Sequence, residues 1–171
     1  MAHTRWDAES AIAMMDHRSI ATGILSISSP GTHFGDDAEA RAITRDVNEY
    51  SAELTKDRPD RFGFFASLPL PDIEGAITET SYALDELHAN GVALLSNYYG
   101  RYLGHKEFEP LWAELDTRAA VVFIHPTAPP MPMLEGMPSS LLDSYEGFEP
   151  GQLDAINRGS AEALFPRLAA A

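Results

Sequence analysis

Four times along this chain a stretch with helical periodicity gives way to a short apolar run and then to a polar loop. Asp7 to His17 places Ala8, Ile12 and Met15 at helical spacing behind a capping aspartate, and Ile20 to Ile27 follows as a strand closed by Ser28-Ser29-Pro30-Gly31. Asp36 to Lys56 carries Ala40, Ile43, Val47, Tyr50 and Leu54 on one helical face, and Phe62 to Leu68 is the next strand. Ile73 to His88 repeats the pattern with Ala76, Ile77, Thr80, Leu84 and Leu87, and Asn90-Gly91 is expected to end it as a left-handed cap. Val92 to Leu95, a helix over Phe108 to Asp116, and the run Val121 to Ile124 complete the series. Helices alternating with short apolar strands predict βαβ units and a parallel sheet. Four such strands make half of a (β/α)8 barrel.

The chain has 171 residues, enough for one domain over residues 1–171 but short of the roughly 250 of a complete (β/α)8 barrel. Its formal net charge is −14, which argues against a nucleic-acid surface or an anionic membrane surface, since both need clustered Lys and Arg. There is no cysteine, so disulfides and thiolate metal sites are excluded and any metal must be held by His, Asp or Glu. Met1 to Trp6 lacks the apolar segment of a signal peptide, and no apolar run is long enough to span a bilayer. The expectation is a soluble cytoplasmic protein. From Pro126 onward the periodicity fades into a loop rich in proline and methionine, and Gln152 to Leu168 is expected to form a closing helix.

His125 is the most informative single residue. The apolar run Val121-Val122-Phe123-Ile124 is expected to be a fully buried strand, and His125 stands where the strand ends and its loop begins. In parallel α/β sheets and barrels that end faces ligands. A neutral imidazole there can ligate a divalent ion or move a proton, or it can simply be a hydrogen-bonded structural histidine. Asn97, Tyr98 and Tyr99 follow another strand and could orient a polar aromatic or carboxylate substrate, or pack with a wet tip. His33, flanked by Gly31 and Gly35 in the first rim loop, is a candidate substrate contact, and Trp6 with Arg5 could hold an anionic ring. His17 and His88 sit at helix ends away from that rim, and His105 lies in a loop.

The strand ends line up with a known pattern. Arg61-Phe62-Gly63-Phe64-Phe65-Ala66-Ser67-Leu68-Pro69-Leu70-Pro71-Asp72, then Gly91-Val92-Ala93-Leu94-Leu95-Ser96-Asn97, then Leu103-Gly104, Phe108-Glu109-Pro110-Leu111-Trp112 and Val121-Val122-Phe123-Ile124-His125-Pro126 together resemble the amidohydrolase-related family. Leu25 to Gly31 and Ala161 to Leu168 extend the likeness over nearly the whole chain. The family comprises metal-dependent hydrolases and decarboxylases akin to aminocarboxymuconate-semialdehyde decarboxylase and γ-resorcylate decarboxylase. The resemblance implies a (β/α)8 barrel with a divalent metal, zinc or else manganese. It also implies ligands from a His-x-His pair after strand one, a histidine after strand five and an aspartate after strand eight, with a catalytic histidine after strand six. Only the strand-five position has a match here, His125, which is thereby expected to be a metal ligand.

The departures are as informative as the match. No His-x-His occurs, and the family's asparagine in the last helix is replaced by Ser160. The likeness begins after strand one and passes, near Asp143 to Tyr145, almost directly to the last helix, so the barrel is expected to be incomplete: about four parallel strands with alternating helices plus a C-terminal helix. Two functions are therefore expected. One is metal-assisted hydrolysis or non-oxidative decarboxylation of a small aromatic or unsaturated carboxylate, with no catalytic residue assignable from sequence. The other is an inactive partial barrel that pairs with itself or a relative, because open sheet edges and uncovered helix faces favour a homodimer or other homo-oligomer.

Overall fold

The computed structural model describes residues 6–127, which lie in the first of the chain's two units, Met1–Ala128. The proline-rich segment and the expected helix over Gln152 to Leu168 fall in the second unit, Pro129–Ala171, outside the described residues.

Each helix starts on an aspartate or a proline-assisted turn. Helix α1 (Ala8–His17) is capped by Asp7, whose carboxylate accepts the Ser10 N–H at 2.8 Å. Helix α2 (Asp37–Asp57) is capped by Asp36 and buries Ala40, Thr44 and Asn48, spaced four apart on one face. Helix α3 (Ile73–Asp85) is capped by Asp72, and helix α4 (Glu109–Thr117) has proline in its first turn after a short 3-10 turn over Lys106–Phe108.

Between them run β1 (Gly23–Leu25), β2 (Phe62–Phe64), β3 (Val92–Leu95) and, after a small hairpin of β4 (Asn97–Tyr98) and β5 (Arg101–Tyr102), β6 (Val122–His125). β1 lies parallel to β2, with Gly23 opposite Phe62. Two residues past β2, Ala66 bridges in parallel to Val92, and β3 then pairs in parallel with β6 from Val92↔Val122 to Leu95↔His125. The parallel strands therefore follow in chain order with a helix before each, the winding of half a (β/α)8 barrel.

The core fills the space between sheet and helices. Phe64, Ala66, Val92 and Leu94 meet Ala76 and Ala83 of α3 and Leu111 and Leu115 of α4 in one buried cluster. Burying each large aliphatic side chain there contributes about 1.5–3 kcal/mol. Trp112 packs on its edge and donates its indole N–H to the Leu103 carbonyl at 2.9 Å.

Several local expectations change. The strand expected over Ile20 to Ile27 is regular only over Gly23–Leu25, and the helix expected to reach His88 ends at Asp85. The left-handed turn after α3 falls on His88 (φ 55°), not on Asn90-Gly91. Asn90 instead turns its side-chain oxygen to the Phe64 N–H at 3.0 Å, and Gly91 is needed because a Cβ there would lie 2.3 Å from the Val121 carbonyl oxygen. The β4–β5 hairpin has no apolar alternation to announce it. Its turn, Tyr99-Gly100, takes positive φ at both residues, as a two-residue hairpin requires.

The largest correction concerns β6. It is not fully buried: Phe123 is 42% and Ile124 50% exposed, although these neighbours point to opposite faces of the sheet. Among the described residues β6 pairs only with β3, so its outer edge and parts of both faces have no cover.

Candidate active site

The loops that follow the parallel strands gather at one rim, where a cleft of about 470 Å³ opens between Pro30, His33, Leu95, Asn97, Tyr98 and Thr127, among others. Sequence reasoning names three of these, Asn97, Tyr98 and His33, and the fold brings all three to the same cleft.

The first rim loop is fixed from below and across. Gly31 takes φ +83°, and the buried Thr32 hydroxyl meets the Thr44 hydroxyl of α2 at 2.6 Å. His33 is nearly covered, its side chain 8% exposed. Its Nε2 lies 2.8 Å from the Asp37 carboxylate, so Nε2 carries the proton, and Nδ1 accepts the Gly35 N–H at 3.2 Å. The Tyr99 hydroxyl reaches over from the hairpin, 3.1 Å from Nδ1 and 3.2 Å from the His33 carbonyl oxygen. Both ring nitrogens are thus engaged within the protein, and His33 ties the loop after β1 to the hairpin after β3.

Tyr98 is a wall of the cleft rather than an open hydroxyl. Its ring packs 6.1 Å from Phe108, and its oxygen accepts the Leu95 N–H at 2.9 Å. Burial pushes its phenol up to about 12, so it stays protonated at any physiological pH. Asn97 donates its amide to the Thr127 hydroxyl at 2.6 Å, and that hydroxyl also meets Ser96 at 2.8 Å. Thr127 is a residue the sequence reading missed. Its signal was position, a hydroxyl two residues beyond the strand-end histidine.

His125 lies at the end of β6, opposite Leu95 in the register. Its Nδ1 is 2.8 Å from the Pro126 carbonyl oxygen, which makes Nδ1 the protonated nitrogen and leaves the Nε2 lone pair available to a metal. Trp6 goes elsewhere. It is half exposed and lines a separate apolar groove of about 440 Å³ with Leu25, Ile27, Val47, Tyr50 and Leu54, beside β1.

A metal centre is tested by its donors. A catalytic zinc commonly takes three protein ligands. No group of three His, Asp or Glu side chains able to hold a metal occurs among the described residues. Residues 6–127 alone do not fit a metal centre.

Behind the rim, a buried polar network sets the strand end after β2. Asn48 of α2 accepts the Ser67 N–H at 2.8 Å and donates to the Ser67 carbonyl at 3.0 Å and to Glu79 of α3 at 2.8 Å. Arg45 holds the same carboxylate, with its guanidinium 3.6 Å over the Tyr82 ring. Asp72, which caps α3, is gripped by Arg41 at 2.5 Å, and that contact, with the Gly75 N–H, holds its carboxyl below the usual carboxylate range.

Comparison with known proteins agrees with this architecture. The model of the amidohydrolase family matches residues 2–169. A decarboxylase of Aspergillus niger is 48% identical over 129 residues, which are 72% of this chain and 35% of that protein. A 6-methylsalicylic acid decarboxylase of Aspergillus aculeatus is 48% identical over 115 residues, 65% of this chain and 35% of that one. The crystal structure of 5-carboxyvanillate decarboxylase from Novosphingobium aromaticivorans, complexed with manganese and 4-hydroxy-3-methoxy-5-nitrobenzoic acid, superposes with a TM-score of 0.70 at 31% identity, covering 75% of this chain and 37% of that one. The chain thus spans little more than a third of the length of these relatives. Half-barrel winding, a rim cleft and a ligand-ready histidine at a strand end all agree with the family match over residues 2–169, and the chain belongs to the amidohydrolase family, of whose (β/α)8 barrel it carries a part.

Proposed function

We propose that this chain forms one wall of the active site of a non-oxidative decarboxylase acting on a small aromatic carboxylate. The observation that carries the reading is identity near one half to decarboxylases over 115 to 129 residues. In this reading His125 is one ligand of a divalent ion, zinc or manganese, and the remaining ligands come from outside residues 6–127. Asn97 and His33 are polar contacts at the cleft and Tyr98 its apolar wall. Trp6, in its separate groove, can contact substrate only if the segment before α1 reaches the rim. One family match over residues 2–169 supports treating residues 1–171 as a single family domain. No described helix is long and apolar enough to cross a membrane, which suits a cytoplasmic enzyme.

The test is carbon dioxide release from 6-methylsalicylate and 5-carboxyvanillate by the 171-residue polypeptide with added manganese or zinc. Release that disappears in His125→Ala is expected. No release from either compound with either ion overturns the reading.

A second reading rests on a specific observation, the incomplete donor set joined to an uncovered β6. In it the chain is a non-catalytic partial barrel that associates with itself as a homo-oligomer. Metal content separates the two readings, since only the first requires a bound ion.

A further inference from the structure

The ends of β3 and β6 are joined by a small network of hydroxyls whose hydrogens can be counted. The Thr127 N–H donates to Ser96 Oγ at 3.0 Å, the Asn97 amide donates to Thr127 Oγ1 at 2.6 Å, and the two hydroxyl oxygens lie 2.8 Å apart. Each hydroxyl brings one hydrogen and two lone pairs. Only one of the two hydrogens can lie between the oxygens, so the other points out of the network.

Two arrangements satisfy these contacts. If Thr127 donates to Ser96, both Ser96 lone pairs are filled and the Ser96 hydrogen must find an acceptor elsewhere. Ser96 is half-buried and does not line the cleft, and among the described residues its hydroxyl meets no acceptor but Thr127 Oγ1. If Ser96 donates to Thr127, both Thr127 lone pairs are filled, by Ser96 and Asn97, and the outward hydrogen belongs to Thr127, which does line the cleft. The second arrangement strands no half-buried donor and is therefore favoured. It makes the Thr127 hydroxyl a donor with no lone pair to offer.

The complement of such a donor is an acceptor-only group, and a carboxylate is one. The rest of the cleft agrees with that pairing. Its described lining holds no Lys or Arg, both nitrogens of His33 are engaged within the protein, and the Tyr98 oxygen takes up the Leu95 N–H. Phe34 and Tyr99, 61% and 66% exposed, line the same cleft and offer surface to a flat ring. Thr127 stands two residues beyond His125, a span of at most about 7 Å, so a small molecule held there lies within reach of the strand-end histidine.

We propose that the Thr127 hydroxyl, set as a donor by Ser96 and Asn97, receives one carboxylate oxygen of an aromatic acid in the cleft. Ser96 acts through Thr127 as a positioning residue. The inference rests on the aromatic-carboxylate reading above and deepens it. Loss of the carboxyl group as carbon dioxide leaves the Thr127 donor without its acceptor, so the product phenol is held less tightly than the acid.

The test compares two probes on the 171-residue polypeptide by equilibrium dialysis: 6-methylsalicylate, and 3-methylphenol, which is the same ring without its carboxylate. Thr127→Val, which keeps the shape of the side chain, is expected to weaken the acid about ten- to a hundredfold and the phenol hardly at all. Thr127→Ser is expected to restore the acid. Ser96→Ala removes the same cross-strand hydrogen bond but keeps the Thr127 hydroxyl, and is expected to change both probes alike. Equal weakening of acid and phenol in Thr127→Val overturns the proposal, because it leaves only a brace between strand ends. A loss confined to the acid in Ser96→Ala also overturns it, by making Ser96 the donor, and so does an unmodified protein that retains no acid. Acid binding that depends on Thr127 without carbon dioxide release upholds the donor and sinks the decarboxylase. Release with acid binding unchanged in Thr127→Val does the reverse.

Discussion

Strands β3 and β6 lie side by side in residue-for-residue register, and their sequences, Val92-Ala93-Leu94-Leu95 and Val122-Phe123-Ile124-His125, have nearly the same apolar character. Yet every residue of β3 is buried, while none of β6 is. β3 has β6 on one side, the Ala66 bridge on the other, and α3 and α4 over its helix-side face. Among the described residues β6 has a neighbour on one side only. An apolar run records what a strand needs around it, and only the assembled fold shows whether residues 6–127 supply it. The unmet need at β6 lies beside the one residue that the family resemblance marks as a metal ligand.

The comparison can be broken most sharply by truncating the two strands in parallel. Leu94→Ala removes a fully buried side chain and is expected to cost about 2–5 kcal/mol of folding stability, measured by urea denaturation. Ile124→Ala, half exposed, is expected to cost less than about 0.5 kcal/mol at concentrations where the chain is monomeric. Equal losses at both positions would mean that β6 is covered after all.

A smaller effect is expected behind the rim. Asn48→Ala strands the Ser67 N–H and one oxygen of buried Glu79, and the loss should be about 1–3 kcal/mol in the same denaturation experiment. Ile124→Ala should not add to or subtract from it, because the two sites share no partner.

The smallest effect is a pH dependence. Asp72 is depressed in the folded protein chiefly by Arg41. A depressed carboxylate contributes stability that is present above its unfolded value and is lost as pH falls through its folded value. Asp72→Asn is therefore expected to lower stability at neutral pH, and the gap to the native protein should narrow in acid, below the ordinary carboxylate range. A gap that stays constant down to strongly acidic pH would mean that the Arg41 contact contributes nothing.

Much of this was legible beforehand, because its causes are local. The helices are announced by Asp7, Asp36 and Asp72 at their caps and by four-residue spacing such as Ala40, Thr44 and Asn48. Parallel pairing follows from the alternation itself, and the cleft position of Asn97, Tyr98 and His33 follows from their place after strands. What was not legible depends on partners distant in sequence. Nothing near Thr127 announces that it joins Ser96 and Asn97, and nothing near His33 announces that the Tyr99 hydroxyl will meet it from a hairpin without alternation. Asn48 looks like a helix surface amide until Ser67 and Glu79 are placed around it. The burial of Phe123 and Ile124 was misjudged for the same reason, since it depends on strands and helices that residues 6–127 do not contain.

The central claim, that this chain carries a working wall of a metal-dependent decarboxylase site, is tested most directly by elemental analysis. The protein is purified without chelator or histidine tag and compared with His125→Ala. About one manganese or zinc per chain, lost in the variant, is the result expected from one ligand-ready imidazole completed by donors outside residues 6–127. No metal in either protein would contradict the claim and leave a partial barrel whose open edges, and not its histidine, decide what it does.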